Sequence, residues 1–159
     1  MDLILWRHAE AENASPDIAD ADRKLTGKGI KQAGKIAAWL DSTLPDSCRI
    51  LVSPAIRARD TAEALIPFGR KIKIVPELSP DATAEEALRA ANWPYSREPV
   101  MIVGHQPYLG QMVGELLGHP LQEYSVRKAN VWWLSQKQKE DEDMQTYLKA
   151  IMAPDLVLK

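Results

Sequence analysis

The sequence predicts an α/β protein with a mostly parallel central sheet flanked by helices, folded as a single domain over residues 1–159. Three observations lead there. Short apolar runs of strand length alternate with helical patterns along the chain, as they do in parallel sheets. The length of 159 residues suits one hydrophobic core. No repeat, low-complexity tract or linker divides the chain.

Taken in order, Leu3-Ile4-Leu5-Trp6 is a short buried strand. Residues 9–24 are polar and acid-rich and read as a loop. Thr26 is placed as a helix N-cap, because its hydroxyl can accept from a first-turn amide. Ile30, Ala33, Ile36, Ala37 and Leu40 recur at helical spacing and are expected on one buried face. Arg49-Ile50-Leu51-Val52 is the second strand. Pro54 opens a helix to about Leu65, with Pro67 just beyond its end. Ile72-Lys73-Ile74-Val75 is the third strand, and a helix covers Ala84 to Ala91. Val100-Met101-Ile102-Val103 is the most hydrophobic run and is expected at the centre, where both sheet faces are covered. Pro107 starts a helix that Gly118 ends. Val131 to Leu134 and Tyr147 to Ile151 flank the charged turn Lys137 to Asp143 and read as a hairpin. Trp132 and Trp133 must then point to opposite sheet faces.

Composition narrows the function classes. Twenty basic residues against 22 acidic give a net charge of −2, so neither nucleic acid nor an anionic membrane is expected as a partner. Cys48 is the single cysteine, which precludes an intramolecular disulfide and suits a reducing compartment. The N-terminal apolar run is too short for a signal peptide, and Asp2 stands where a basic region would be needed. A cytoplasmic location is expected.

In α/β sheets, ligands sit beyond the carboxyl ends of the strands. The first strand ends in Arg7-His8-Ala9-Glu10, the second in Ser53-Pro54-Ala55-Ile56-Arg57-Ala58, and the central one in Gly104-His105-Gln106-Pro107. Two of the three histidines and two arginines therefore fall on one rim. Phosphoryl transfer is the chemistry they could share. It consists mainly of positioning and charge stabilisation, and the arginine fork binds phosphate through two donors while staying charged. A neutral imidazole is a competent nucleophile near neutral pH. A second histidine, if protonated, would add a donor to the phosphate.

These three segments, in this order, closely resemble the histidine phosphatase superfamily, with its phosphoglycerate-mutase-like fold. The short chain and the segment Arg23-Lys24-Leu25-Thr26 look most like the bacterial SixA-type phosphohistidine phosphatases. The resemblance implies that His8 is the nucleophile, that Arg7, Arg57 and His105 form the phosphate pocket, and that Arg23 is a further phosphate-side arginine. The sequence shows no three-ligand metal cluster, and no metal or cofactor is expected. Three departures stand out. Ala9 replaces the glycine that often follows the Arg-His pair, and Gln106 replaces a frequent asparagine. Mutase-like members carry a glutamate acid after the third strand. The local sequence Val75-Pro76-Glu77-Leu78-Ser79-Pro80-Asp81 offers only Glu77 and Asp81 as candidates.

Plainer readings stand beside these. Arg23 could simply pair with Asp20 or Asp22, Gln106 could cap a helix, His119 is expected on the surface, and Cys48 is expected to pack. Spacing rejects other motifs. A cysteine phosphatase needs an arginine six residues after Cys48, where Pro54 stands. His8-Ala9-Glu10 lacks the two cysteines of a zinc deaminase. Gly27-Lys28-Gly29 completes neither a Walker loop nor a dinucleotide fingerprint. The leading expectation is dephosphorylation of phosphohistidine on a protein. The alternatives are a phosphomonoesterase acting on small phosphate esters or phosphoproteins, and a non-catalytic phosphate-sensing module.

Overall fold

The computed structural model describes residues 1–137 and 144–158. The run Lys139 to Asp143, expected as a solvated turn, lies outside the described residues. Six strands form one sheet: β1 (Asp2–Arg7), β2 (Arg49–Val52), β3 (Lys73–Ile74), β4 (Val100–Gly104), β5 (Val131–Lys137) and β6 (Gln145–Met152). Their order across the sheet is β3-β2-β4-β1-β5-β6. The pairings β3 with β2, β2 with β4 and β4 with β1 are parallel, while β1 with β5 and β5 with β6 are antiparallel. The hydrophobic β4 sits at the centre, as its composition requires, and every one of its residues is buried.

Side chains alternate across the sheet, and each face carries its own core. On one face Ile4, Trp6, Ile50, Val52, Met101 and Val103 meet the helices α1 (Gly27–Thr43) and α2 (Ile56–Glu63). On the other, Leu3, Leu5, Leu51, Val100 and Ile102 meet α3 (Ala84–Ala90) and α4 (Tyr108–Leu116). Trp133 belongs to the first core and Trp132 packs against the second, so the adjacent tryptophans do divide between faces.

The Thr26 side chain caps α1 by accepting from the Gly29 amide at 3.0 Å. One expected core residue is misplaced. Ile30 is 62% exposed, and Gly29 takes the inward position in that first turn. The backbone of Glu10 runs so close to Gly29 that a Cβ there would overlap the Glu10 carbonyl oxygen. The third strand shrinks from the expected four residues to Lys73–Ile74, an exposed edge that pairs only with β2. α2 begins at Ile56 rather than at Pro54, because the Pro54-Ala55 step still belongs to the turn leaving β2.

Candidate active site

Parallel pairing brings the two histidines together. Arg7 at the end of β1 is in register with Gly104 at the end of β4. The next residues, His8 and His105, therefore leave adjacent strands side by side, and their rings lie 5.2 Å apart, tilted by 52°. The His8 amide donates to the Gly104 carbonyl at 3.1 Å, which fixes the turn out of β1. Gly104 is needed because a Cβ there would overlap the Tyr108 hydroxyl. That hydroxyl donates to the Leu78 carbonyl at 2.7 Å, while burial pushes the phenol pKa up.

His8 is buried, and its Nδ1 lies 2.8 Å from the Ala9 carbonyl oxygen. A carbonyl only accepts, so Nδ1 carries the proton and Nε2 keeps its lone pair. The Ala9 amide is held in turn by the Thr61 hydroxyl at 3.0 Å, and that hydroxyl donates to the Arg57 carbonyl at 2.7 Å. Burial first, then the charges of Arg57, Arg7 and Lys128, lower the His8 pKa to about 3, against the opposing effect of the Ala9 bond. His8 is thus neutral near pH 7.

His105 Nε2 lies 2.7 Å from the Ser53 hydroxyl, and its Nδ1 is buried with no hydrogen-bond partner. Burial, then proximity to His8 and the arginines, lowers its pKa to about 3 as well. The protonated second histidine weighed from sequence is therefore not the resting form. In the tautomer where Ser53 donates to Nε2, Nδ1–H is a free donor. The same hydroxyl can still accept from the Ala55 amide at 3.2 Å.

Arg57, on the first turn of α2, is 4% exposed. It donates to the Asp20 carbonyl at 2.8 Å and to the Asp20 carboxylate at 3.1 Å. Arg23 reaches the same carboxylate through Nε at 3.0 Å and also donates to the Glu12 carbonyl at 2.9 Å. The pairing of Arg23 with Asp20 anticipated from sequence thus occurs, and Asp20 bridges it to Arg57. Burial acts to raise the Asp20 carboxyl pKa, but the two guanidinium charges and their hydrogen bonds outweigh it and hold the group below the ordinary range. Arg7 donates to the Val126 carbonyl at 3.0 Å.

The Nε atoms of Arg7 and Arg57 and the Nδ1 of His105 are buried and make no hydrogen bond among the described residues. Buried polar atoms are normally paired, and leaving one unmade costs about 1–3 kcal/mol, more when charged. Three such atoms within one site form a group suited to an anion's oxygens. Gln106 has the plainer role: it accepts from the Gly110 amide at 2.8 Å, in the first turn of α4, and donates to the Tyr124 carbonyl at 2.9 Å. His119 is exposed. Cys48 is buried, and that burial pushes its thiol pKa up to about 12.

Glu77 is exposed and lines a separate cleft of about 410 Å³ with Arg49, Lys73 and Arg89. Asp81 is exposed on the following turn. Among the described residues, neither is hydrogen-bonded to the histidine site, and no three His, Cys, Asp or Glu side chains form a metal-ligand group. Ser53 and Thr61 were not singled out from sequence, and Asp20 was named only as a partner for Arg23. Ser53 and Thr61 carried a weak signal, since one lies in the second motif and the other one turn after Arg57. The contact of Asp20 with Arg57, 37 positions away, carried no signal.

Known proteins bear on this geometry. The sequence profile of the histidine phosphatase superfamily (branch 1) matches residues 3–80. The phosphohistidine phosphatase SixA homolog of Haemophilus influenzae is 30% identical, with 84% of this chain and 88% of that protein covered. The phosphohistidine phosphatase SixA of Escherichia coli is also 30% identical, over 73% of this chain and 74% of that one. A crystal structure from Agrobacterium tumefaciens named after phosphohistidine phosphatase SixA superposes with a TM-score of 0.80 at 27% identity, covering 96% of this chain and 97% of that one. A phosphoserine phosphatase from Entamoeba histolytica, with a TM-score of 0.73 at 14% identity and 99% of each chain covered, shares the fold. The matched profile, the relatives and the phosphoglycerate-mutase-like fold agree that the chain is a phosphatase and belongs to the histidine phosphatase superfamily.

Proposed function

We propose that this phosphatase removes the phosphoryl group from phosphohistidine on a protein, with His8 as the covalent nucleophile. The observation that carries the proposal is the His8 hydrogen bond through Nδ1, which leaves Nε2 unprotonated among buried guanidinium donors. Nε2 attacks phosphorus as the P–N bond to the substrate imidazole breaks. That imidazole leaves, taking a proton from solvent. Water then attacks the phosphorus on His8, inorganic phosphate departs, and His8 is restored. Arg7, Arg57 and His105 Nδ1–H face the equatorial oxygens, where charge is spread in the transition state. Arg23 supports them once the Asp20 carboxylate gives way to the incoming phosphoryl group.

The leaving group favours the phosphohistidine reading over an ester. An alkoxide needs a proton from a placed acid, whereas an imidazole is a far weaker base. Glu77 and Asp81, the candidate acids, lie on the exposed segment after β3 with no hydrogen bond to the site. A cytoplasmic location fits such a substrate, and among the described residues no helix is long and apolar enough to cross a membrane.

A substrate panel tests the proposal. kcat/KM for a phosphohistidine peptide should exceed that for unactivated alkyl phosphates by at least about tenfold, with aryl esters between them. The trapped enzyme adduct should be labile in acid and stable in base, as a phosphoramidate is. Equal or better turnover of an alkyl phosphate would overturn the substrate reading and make Glu77 and Asp81 the first residues to substitute.

A further inference from the structure

Beside the histidine site runs a basic groove. α1 carries Lys28, Lys31 and Lys35 at intervals of three and four residues, so all three share one side of the helix. The loop before β5 carries Arg127 and Lys128. These five side chains are exposed, and with Arg7 they line a groove of about 880 Å³. Among the described residues, Glu10 and Asp155 are its only lining carboxylates. Six cations thus converge on one surface of a chain whose net charge is −2. Glu10 pairs with Lys28 at 3.8 Å. Lys31, Lys35, Arg127 and Lys128 make no ion pair among the described residues.

The groove adjoins the histidine site through Arg7. Arg7 belongs to its lining and immediately precedes His8, and the charge of Lys128 is felt at the His8 ring. Its cations are solvated and spread along a helix face. A small-ligand site would instead enclose its ligand with a few fixed polar groups. The arrangement suits an extended anionic chain lying beside the reacting residue, drawn in by long-range attraction.

We propose that the groove formed by Lys28, Lys31, Lys35, Arg127 and Lys128 docks an acidic segment of the substrate protein next to its phosphohistidine. This rests on the phosphohistidine reading above. Charge complementarity is the recognition, so it is salt-sensitive and acts mainly on KM.

Two peptides of about ten residues test it, each with one phosphohistidine, one flanked by about four glutamates and the other by as many glutamines. The glutamate peptide should show a roughly tenfold higher kcat/KM, through KM, and the advantage should shrink as salt rises. In the double variant Lys31→Glu with Lys35→Glu the ratio between the peptides should fall to about one. Because the ratio is taken within each protein, a loss common to both peptides does not enter it. A ratio near one in the parent, or an unchanged ratio in the variant, would overturn the docking surface. Fluorescence anisotropy with the unphosphorylated peptides separates this proposal from the functional reading. Failure to hydrolyse either phosphopeptide strikes the phosphohistidine reading, whereas equal binding of the two unphosphorylated peptides strikes the groove. Tripolyphosphate binding that exceeds the glutamate peptide and is lost in the double variant would assign the groove to small polyanions and overturn the proposal.

Discussion

Arg57 and Arg70 are 4% and 9% exposed, yet the fold treats them in opposite ways. Arg70, between α2 and β3, uses its whole fork. Nε donates to the Asp41 carboxylate at 2.9 Å, and the two amino groups donate to the carbonyls of Pro45 at 2.7 Å and Leu44 at 2.9 Å. It closes the C-terminal end of α1, whose last carbonyls have no partner within the helix. Among the described residues, Arg57 holds only the exposed Asp20, 37 positions away in sequence, and its Nε makes no hydrogen bond. Burial alone therefore does not distinguish a structural arginine from one proposed to bind phosphate. What distinguishes them is whether the donors are used up by the protein itself.

Four predictions test that contrast. The largest effect is expected at His8, the proposed nucleophile. His8→Ala should lose at least about 10⁴-fold in kcat and still bind tungstate, since both arginines remain. Substantial turnover at saturating substrate would sink the covalent route. Next come the arginines themselves. Arg57→Ala should cost about 2–4 kcal/mol of transition-state stabilisation, or roughly 30- to 900-fold in kcat/KM, with a smaller cost in folding stability. Arg57→Lys should recover little of it, because the two-pronged donor is gone. Arg70→Met should do the reverse. Losing its bonds to the Asp41 carboxylate and the Leu44 and Pro45 carbonyls should cost about 2–3 kcal/mol in denaturant unfolding, with kcat/KM within about twofold of the parent. Matching losses from both arginines in both assays would abolish the distinction.

A smaller effect is expected at Asp20. Asp20→Asn keeps the loop's shape but weakens the charge that competes for Arg57 and Arg23, so tungstate should inhibit about two- to fivefold more strongly. Weaker inhibition would mean that the carboxylate assembles the pocket rather than competing for it. The smallest signal is spectroscopic. His8 and His105 should show no midpoint between about pH 5 and about pH 8 by nitrogen NMR, because both are held neutral down to about pH 3. The sign for stability follows. An unfolded histidine titrates near ~6.5, so the unfolded chain binds more protons below that pH. The contribution of these two histidines to stability is complete above about pH 6.5 and is lost as pH falls toward about 3. Ordinary midpoints near ~6.5 in the folded protein would contradict the burial of both rings.

What could be read from sequence was local. Arg7-His8 and Gly104-His105 follow strands recognisable by their apolar runs, and the carboxyl-end rule places both on one rim. Thr26, the central strand and the opposed tryptophans were legible for the same reason. Interactions that depend on three-dimensional meeting were not. The Ser53 hydroxyl reaches His105 across 52 residues, and Thr61 holds the Ala9 amide across another 52. Asp20 was legible as a partner for Arg23, but not as the residue that also holds Arg57. Ile30 matched the helical period but fell outside the core because Glu10 packs on Gly29 instead. Periodicity says which side chains share a face, and cannot say where along the helix the neighbouring chain arrives.

The place of β1 in the sheet has a consequence for how the enzyme comes into being. The first strand made is not paired with the second. It lies between β4 and β5, so residue 8 gains its neighbour only when residue 105 is in place. Contacts of such long sequence separation form late and slow folding. A nascent chain that has emerged as far as α2 already carries Arg7, His8 and Arg57 yet has no site, because the strand that aligns them has still to be made. Recovery of activity on refolding is therefore expected to coincide with completion of the sheet, with no partly active species before it.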